Sequence, residues 1–208
     1  MAGSSGRIFL LSPAKAGGPR YSMLMRDQAD FDLARKLRAG EATMGEVYSF
    51  ISGLYFRGKL AYSQAFPVGP PGLPGALVIV PGAGLVPPDT IVTAEQLQAI
   101  AEIPVDEENP NFRDPLVAAA KLVDQHAGGA SSYVLLGSVA SRKYTTPLLE
   151  IFGERLLFPS AFVGRGDMSR GGLLLRHAHS GVELQYIAVR GALLHGARPP
   201  RLEKWRKP

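Results

Sequence analysis

Apolar residues in this chain come in short runs separated by turn-forming residues, and those runs set the expected elements. Ile8-Phe9-Leu10-Leu11, Leu77-Val78-Ile79-Val80 and Tyr133-Val134-Leu135-Leu136 are each bounded by Ser, Pro or Gly. Runs this short read as buried strands. Arg155 to Phe158 and Leu173 to Arg176 read as two further strands, and Leu184 to Val189 as a last alternating strand at a sheet edge.

Helical spacing appears between these runs. Phe31, Ala34 and Leu37 follow Asp27, a candidate cap, and Gly40 stops the pattern. Thr43-Met44-Gly45-Glu46 matches a capping box and opens a helix with Val47, Phe50, Ile51 and Leu54 on one face. That helix either breaks at Gly53 and Gly58 or runs through them to Phe66. Thr93 opens another helix, with Leu97, Ile100 and Ala101 inward. Pro115 starts the next, with Leu116, Ala119, Leu122 and Val123, and 147–152 forms a short one. The segments 14–21 and 67–75 read as irregular because Gly and Pro interrupt them, and 106–109 as a solvated acidic loop.

Apolar runs alternating with helices predict an α/β fold: a mostly parallel or mixed sheet flanked by helices, with added antiparallel strands near the C-terminus. The expected organisation is a single α/β domain over 7–197, a flexible start at 1–6 and a basic C-terminal tail at 198–208. The tail carries five basic residues against one acidic, and Trp205 in it suits either stacking on a base or anchoring the tail on the domain.

Composition narrows the function classes. Hydrophobic residues make up 46% of the 208 and charged ones 20%, a balance that excludes global disorder. The absence of cysteine excludes disulfides, thiolate metal sites and a thiol nucleophile. No leader is visible and no apolar run approaches about 18 residues, so the expectation is a cytoplasmic protein with no membrane association. The formal net charge of +5 favours anionic partners, nucleic acid or nucleotides among them.

The candidate chemistry sits in loops that follow the apolar runs. The stretch 164–172 holds four glycines, Arg165, Ser169 and Arg170 in nine positions. Glycines bring backbone N–H groups close to a ligand, and arginines add forked donors for phosphate or carboxylate. The alternative is that both arginines pair with Asp167, Glu154 or Glu150 to fix a tight turn. In 137–144, Ser138 and Ser141 supply hydroxyls and Arg142 and Lys143 supply charge, though the spacing is not that of a Walker loop. The competing reading is a solvated turn. Lys15, after the first run, completes the set of binding candidates. In open α/β sheets such loops converge beyond the carboxyl ends of parallel strands.

Other motifs carry less. His177 and His179 share a face if they lie on a strand, yet no third ligand stands nearby except Glu183, so no metal or cofactor is expected. No nucleophile elbow is present. Arg165-Gly166-Asp167 matches an integrin-binding tripeptide, which the flanking apolar runs and missing leader argue against.

Ser12-Pro13-Ala14-Lys15 after the first strand resembles the start of the YaaA family of bacterial proteins. Gly166-Asp167-Met168-Ser169-Arg170 is similar to that family's Arg-Gly-x-Met-Ser-Arg segment, and Ser52-Gly53-Leu54-Tyr55 to its Ser-Gly-Leu-Tyr element. The three segments cover about a tenth of the chain and fall in the family's order. The resemblance implies an α/β protein associated with DNA and oxidative-stress resistance, with Lys15, Ser169 and Arg170 carried over as binding candidates. This chain is shorter than the family, and its 137–144 loop and Gly171-Gly172 are not family features. The expected function is therefore a nucleic-acid-associated protein with a basic phosphate- or nucleotide-binding cleft, in stress response or base processing. The alternative is an enzyme on a small nucleoside-like or phosphorylated metabolite. Neither a reaction nor an oligomeric state follows from the residues.

Overall fold

A computed structural model describes residues 6–193 and 196–202. Its centre is a six-stranded sheet in the order β3-β2-β1-β4-β5-β6. The strands are β1 (Arg7–Leu11), β2 (Ala76–Val80), β3 (Gly84–Val86), β4 (Ser132–Leu136), β5 (Leu156–Pro159) and β6 (Tyr186–Ala188). The inner four are parallel, and the outer two run antiparallel to their neighbours. The sheet is thus mixed within an α/β fold, as expected. One antiparallel edge, β3, lies mid-chain and was not foreseen; it returns from β2 through a turn at Gly82, which adopts a φ of +80°.

β1 and β4 are buried on both faces, which explains their continuous apolar runs. The chain leaves β1 for β2 on one side, then crosses to β4 and β5 on the other. Right-handed crossovers in opposite directions place their helices on opposite faces. One face carries α3 (Met44–Ser52) and α4 (Leu54–Ala65), joined by α8 (Asp167–Ser180); the other carries α6 (Pro110–Ala127) and α7 (Arg142–Phe152).

The capping box expected at Thr43 forms, and Thr93 makes a second one. Thr43 Oγ1 accepts from Glu46 N and Thr93 Oγ1 from Gln96 N, opening α3 and α5 (Ala94–Ala101). The helix after Thr43 breaks at Gly53, which takes a φ of +62°, and runs unbroken through Gly58.

Several expectations change. Leu173 to Arg176 is helical, within α8, so the 164–172 segment is a turn entering a helix and not a loop between strands. A three-leucine run carries no period of its own, and here Leu173 and Leu174 are buried one turn after Arg170. His177 and His179 consequently lie two apart on a helix. His177 Nδ1 is 2.7 Å from Val182 O, and no group of three metal-ligating side chains occurs among the described residues. The segment 14–21 is partly regular, because Pro19 starts the short helix α1 (Pro19–Leu24). The helix expected from Asp27 begins instead at α2 (Asp32–Ala39). α6 starts at Pro110 and contains Pro115, and α7 starts five residues before Pro147. Glu107 is not fully solvated; its carboxylate lies 3.5 Å from Arg142 Nε and is mostly covered. Lys204, Trp205, Arg206 and Lys207 lie outside the described residues. No described helix is long and apolar enough to cross a membrane.

Candidate ligand-binding cleft

The change of direction between β1 and β4 leaves a crevice at their carboxyl ends, the position where open α/β sheets take ligands. A cavity of about 650 Å³ occupies it, within the range of small-molecule sites. Ser12 to Ala16 enter from the end of β1, Pro81 from β2, and Ser138, Lys143 and Tyr144 from the segment after β4. The two central loops touch: a Cβ on Gly137 would fall 2.8 Å from Ser12 Cβ, so only glycine lets the ends of β1 and β4 close up here. Ile51, Ser52 and Tyr55 contribute from the α3–α4 junction, and Asp167 from the start of α8. Ile100, Ile103, Pro104 and Val105 form an apolar wall.

The binding candidates divide. Lys15, Ser138 and Lys143 line this cleft. Arg142 does not; it stands 81% exposed over Glu107. Ser141 precedes α7 at its cap position without a side-chain cap bond, and its carbonyl accepts from Thr145 Oγ1. Arg165 and Ser169 are bonded to each other, Nη1 to Oγ at 3.2 Å, and Arg165 Nε donates to Ala161 O. Arg170 is buried, donates twice to Phe162 O at 3.3 Å and lies 3.5 Å from Asp167. The glycine-arginine segment therefore spends its donors on the fold, as the ion-pair alternative for Arg170 and Asp167 anticipates. Glu150 and Glu154 instead face Arg113 and Arg190. Only Asp167 of that segment reaches the cavity.

Beneath the cleft lies a buried lysine outside the loops that carry the binding candidates. Lys59 of α4 is buried, and its Nζ donates to Ser12 O at 2.6 Å and to Ser12 Oγ at 2.9 Å. The amine stands 4.4 Å from the centre of the Tyr55 ring and 5.0 Å from that of Phe56. Desolvation lowers its pKa from 10.5 to about 7, with Asp167 opposing that shift. No carboxylate among the described residues pairs with it, which is an unusual position for a lysine. The signal was present in the spacing: Lys59 stands four residues after Tyr55, three after Phe56 and three before Tyr62, all on the buried stripe of α4. Tyr55 adds a second anomaly. Its hydroxyl is buried beside the Arg170 guanidinium, and burial raises its pKa.

The cleft thus offers two ammonium groups, hydroxyls at Ser12, Ser52 and Ser138, one carboxylate, two tyrosines and an apolar wall. Ammonium and hydroxyl groups together with aliphatic side chains in one lining suit a ligand with an anionic part and a flat or apolar part. No family model, no curated protein and no solved structure matches the chain.

Proposed function

We propose that this chain binds a small phosphorylated, nucleoside-like molecule in the cleft between β1 and β4. The observation that carries the reading is the presence of Lys15 and Lys143 in one cavity of small-molecule size that Ile100, Ile103 and Val105 also line. In this reading the two ammonium groups neutralise the phosphate, Ser138 donates to it, and the base or sugar lies against the aliphatic wall. Of the segments that resemble the YaaA family, Ser12 to Lys15, Ser52 with Tyr55, and Asp167 line this cavity, whereas Ser169 and Arg170 do not. The protein is proposed to work in the cytoplasm.

Nucleic acid is the less favoured partner, because the arginines that suggested a phosphate-tracking surface are bonded within the fold. A thermal-shift screen of nucleotides and sugar phosphates beside single- and double-stranded DNA and RNA separates the two. A small ligand at 100 times its dissociation constant adds about 2.7 kcal/mol of stability. Stabilisation by a nucleotide, lost in Lys15→Ala with Lys143→Ala, is the expected result. Stabilisation by polynucleotide alone, weakening steeply with salt, overturns the small-molecule reading.

A further inference from the structure

We propose that Ser12 is a nucleophile with Lys59 as its base, and that the cleft transfers the acyl group of an ester or amide bearing an anionic substituent. The inference uses the cleft of the proposed function but does not need the ligand to be a nucleotide.

Ser12 follows β1 directly and, although only 5% exposed, is among the residues that line the cavity. Lys59 Nζ approaches that hydroxyl from below at 2.9 Å, within the range of a working nucleophile–base pair. Its second hydrogen bond, to Ser12 O, fixes the amine in place and leaves its lone pair for the hydroxyl once the extra proton is gone. The Tyr55 and Phe56 rings enclose the amine and leave it to Ser12 alone. Burial and the Arg170 charge push this amine towards the neutral form a base requires, while Asp167 and the two ring faces favour the ammonium. Burial of Lys59 brings that form within reach near neutral pH. Serine with lysine as its base is an established variant of the nucleophile–base arrangement.

The step balances without a further reagent. Ser12 Oγ bonds to the carbonyl carbon as its proton passes to Lys59 Nζ, and the carbonyl π pair moves to oxygen. The pair returns as the bond to the leaving oxygen or nitrogen breaks, and Lys59 gives its proton to that atom. Water then attacks the acyl carbon, again losing a proton to Lys59, and Ser12 Oγ departs and recovers the proton. The products are a free acid and an alcohol or amine. Lys15 and Lys143, in the same cavity, would hold the anionic substituent.

The alternative is that Lys59 only ties α4 to β1. Treating the full chain with a fluorophosphonate and mapping the adduct by mass spectrometry distinguishes them. The expected result is one adduct, on Ser12, forming faster as pH rises with a midpoint near 7, and absent in Ser12→Ala. Lys59→Met should slow it by at least about 100-fold. Because the chain has no cysteine, Ser12→Cys creates a single thiol, and its alkylation by iodoacetamide reports on the same position even where Lys59→Met fails to fold. Rapid alkylation with a thiol pKa below about 8.5 supports the pair. No adduct on Ser12, or one whose rate ignores pH and Lys59, overturns the proposal. Nucleotide stabilisation that persists in Ser12→Ala would leave the binding reading standing on its own.

Discussion

Gly58 of α4 and Gly171 of α8 meet backbone to backbone. A Cβ on Gly58 would lie 2.6 Å from Gly171 O, and one on Gly171 would lie 2.8 Å from both Leu54 O and Tyr55 Cα. Two helices approach this closely only where neither carries a side chain at the crossing. The approach brings Asp167 and Arg170 to the side of α4 that holds Tyr55 and Lys59.

Gly58→Ala and Gly171→Ala should each destabilise the protein by about 1–3 kcal/mol in denaturant titrations, the usual cost of overpacking. Alanine is the better helix former by about 1 kcal/mol, so a net gain in stability would show that the helices part without cost. Gly172→Ala is the control. Its Cβ would meet the Leu202 side chain at an ordinary 3.6 Å, and helix propensity should then decide in its favour.

Lys59 makes stability depend on pH in a particular direction. Its folded pKa is below its unfolded one, so between about 7 and 10.5 the unfolded chain holds a proton that the folded chain lacks. Stability should therefore rise with pH across that window and level off below it. A depression of this size corresponds to something on the order of 5 kcal/mol. Melting temperatures of Lys59→Met, followed over the same range, should be flatter than those of the parent. An unchanged slope would mean that the buried amine stays charged.

The Asp124 carboxylate is clamped by Arg155 Nη2 at 2.7 Å and Nη1 at 2.5 Å, and accepts from Tyr133 OH at 2.8 Å. Hydrogen bonding by Arg155 holds the Asp124 pKa below the usual carboxylate value. Asp124→Asn should cost about 1.5–3 kcal/mol at neutral pH, the range for hydrogen bonds to a charged group. Because the folded pKa is depressed, this contribution is complete above the unfolded pKa and lost as pH falls through the folded one. Urea midpoints of parent and variant should thus converge in acid.

Arg170→Ala separates folding from binding. Its guanidinium is buried against Phe162 and lies 3.5 Å from Asp167, so its removal leaves Phe162 O without that donor. A loss of about 1–3 kcal/mol is expected, with nucleotide affinity of the folded fraction unchanged. Calorimetric titration checks the second half: an affinity drop larger than that of Lys15→Ala would place Arg170 in the site after all.

The strands were legible because β1, β2 and β4 are apolar on both faces, and the two capping boxes announced their helices by residue type alone. Of the binding candidates, Lys15 and Ser138 reached one cavity because each follows a parallel strand closely, and Lys143 joins them from the first turn of α7. Arg165 and Arg170 did not, because the same donor fork that binds phosphate also binds carbonyls, and local sequence does not say which is nearer. Leu173 to Arg176 was misread since a helix holding two glycines is intrinsically weak; Gly171 is there for α4, 113 residues earlier than Gly171 at Gly58, and that partner lies outside any local window. Lys59 was the more readable omission, a single charge set into an apolar stripe.

The strand order also has a consequence for the chain as it emerges during synthesis. β1 is made first and pairs with β2, but its other edge stays open until β4 at residues 132–136 is available. Until residues 132–136 are made, this buried, largely apolar strand is an unprotected border able to recruit strands from other molecules. Closure of the cleft and protection against aggregation are then one event, the insertion of β4 beside β1.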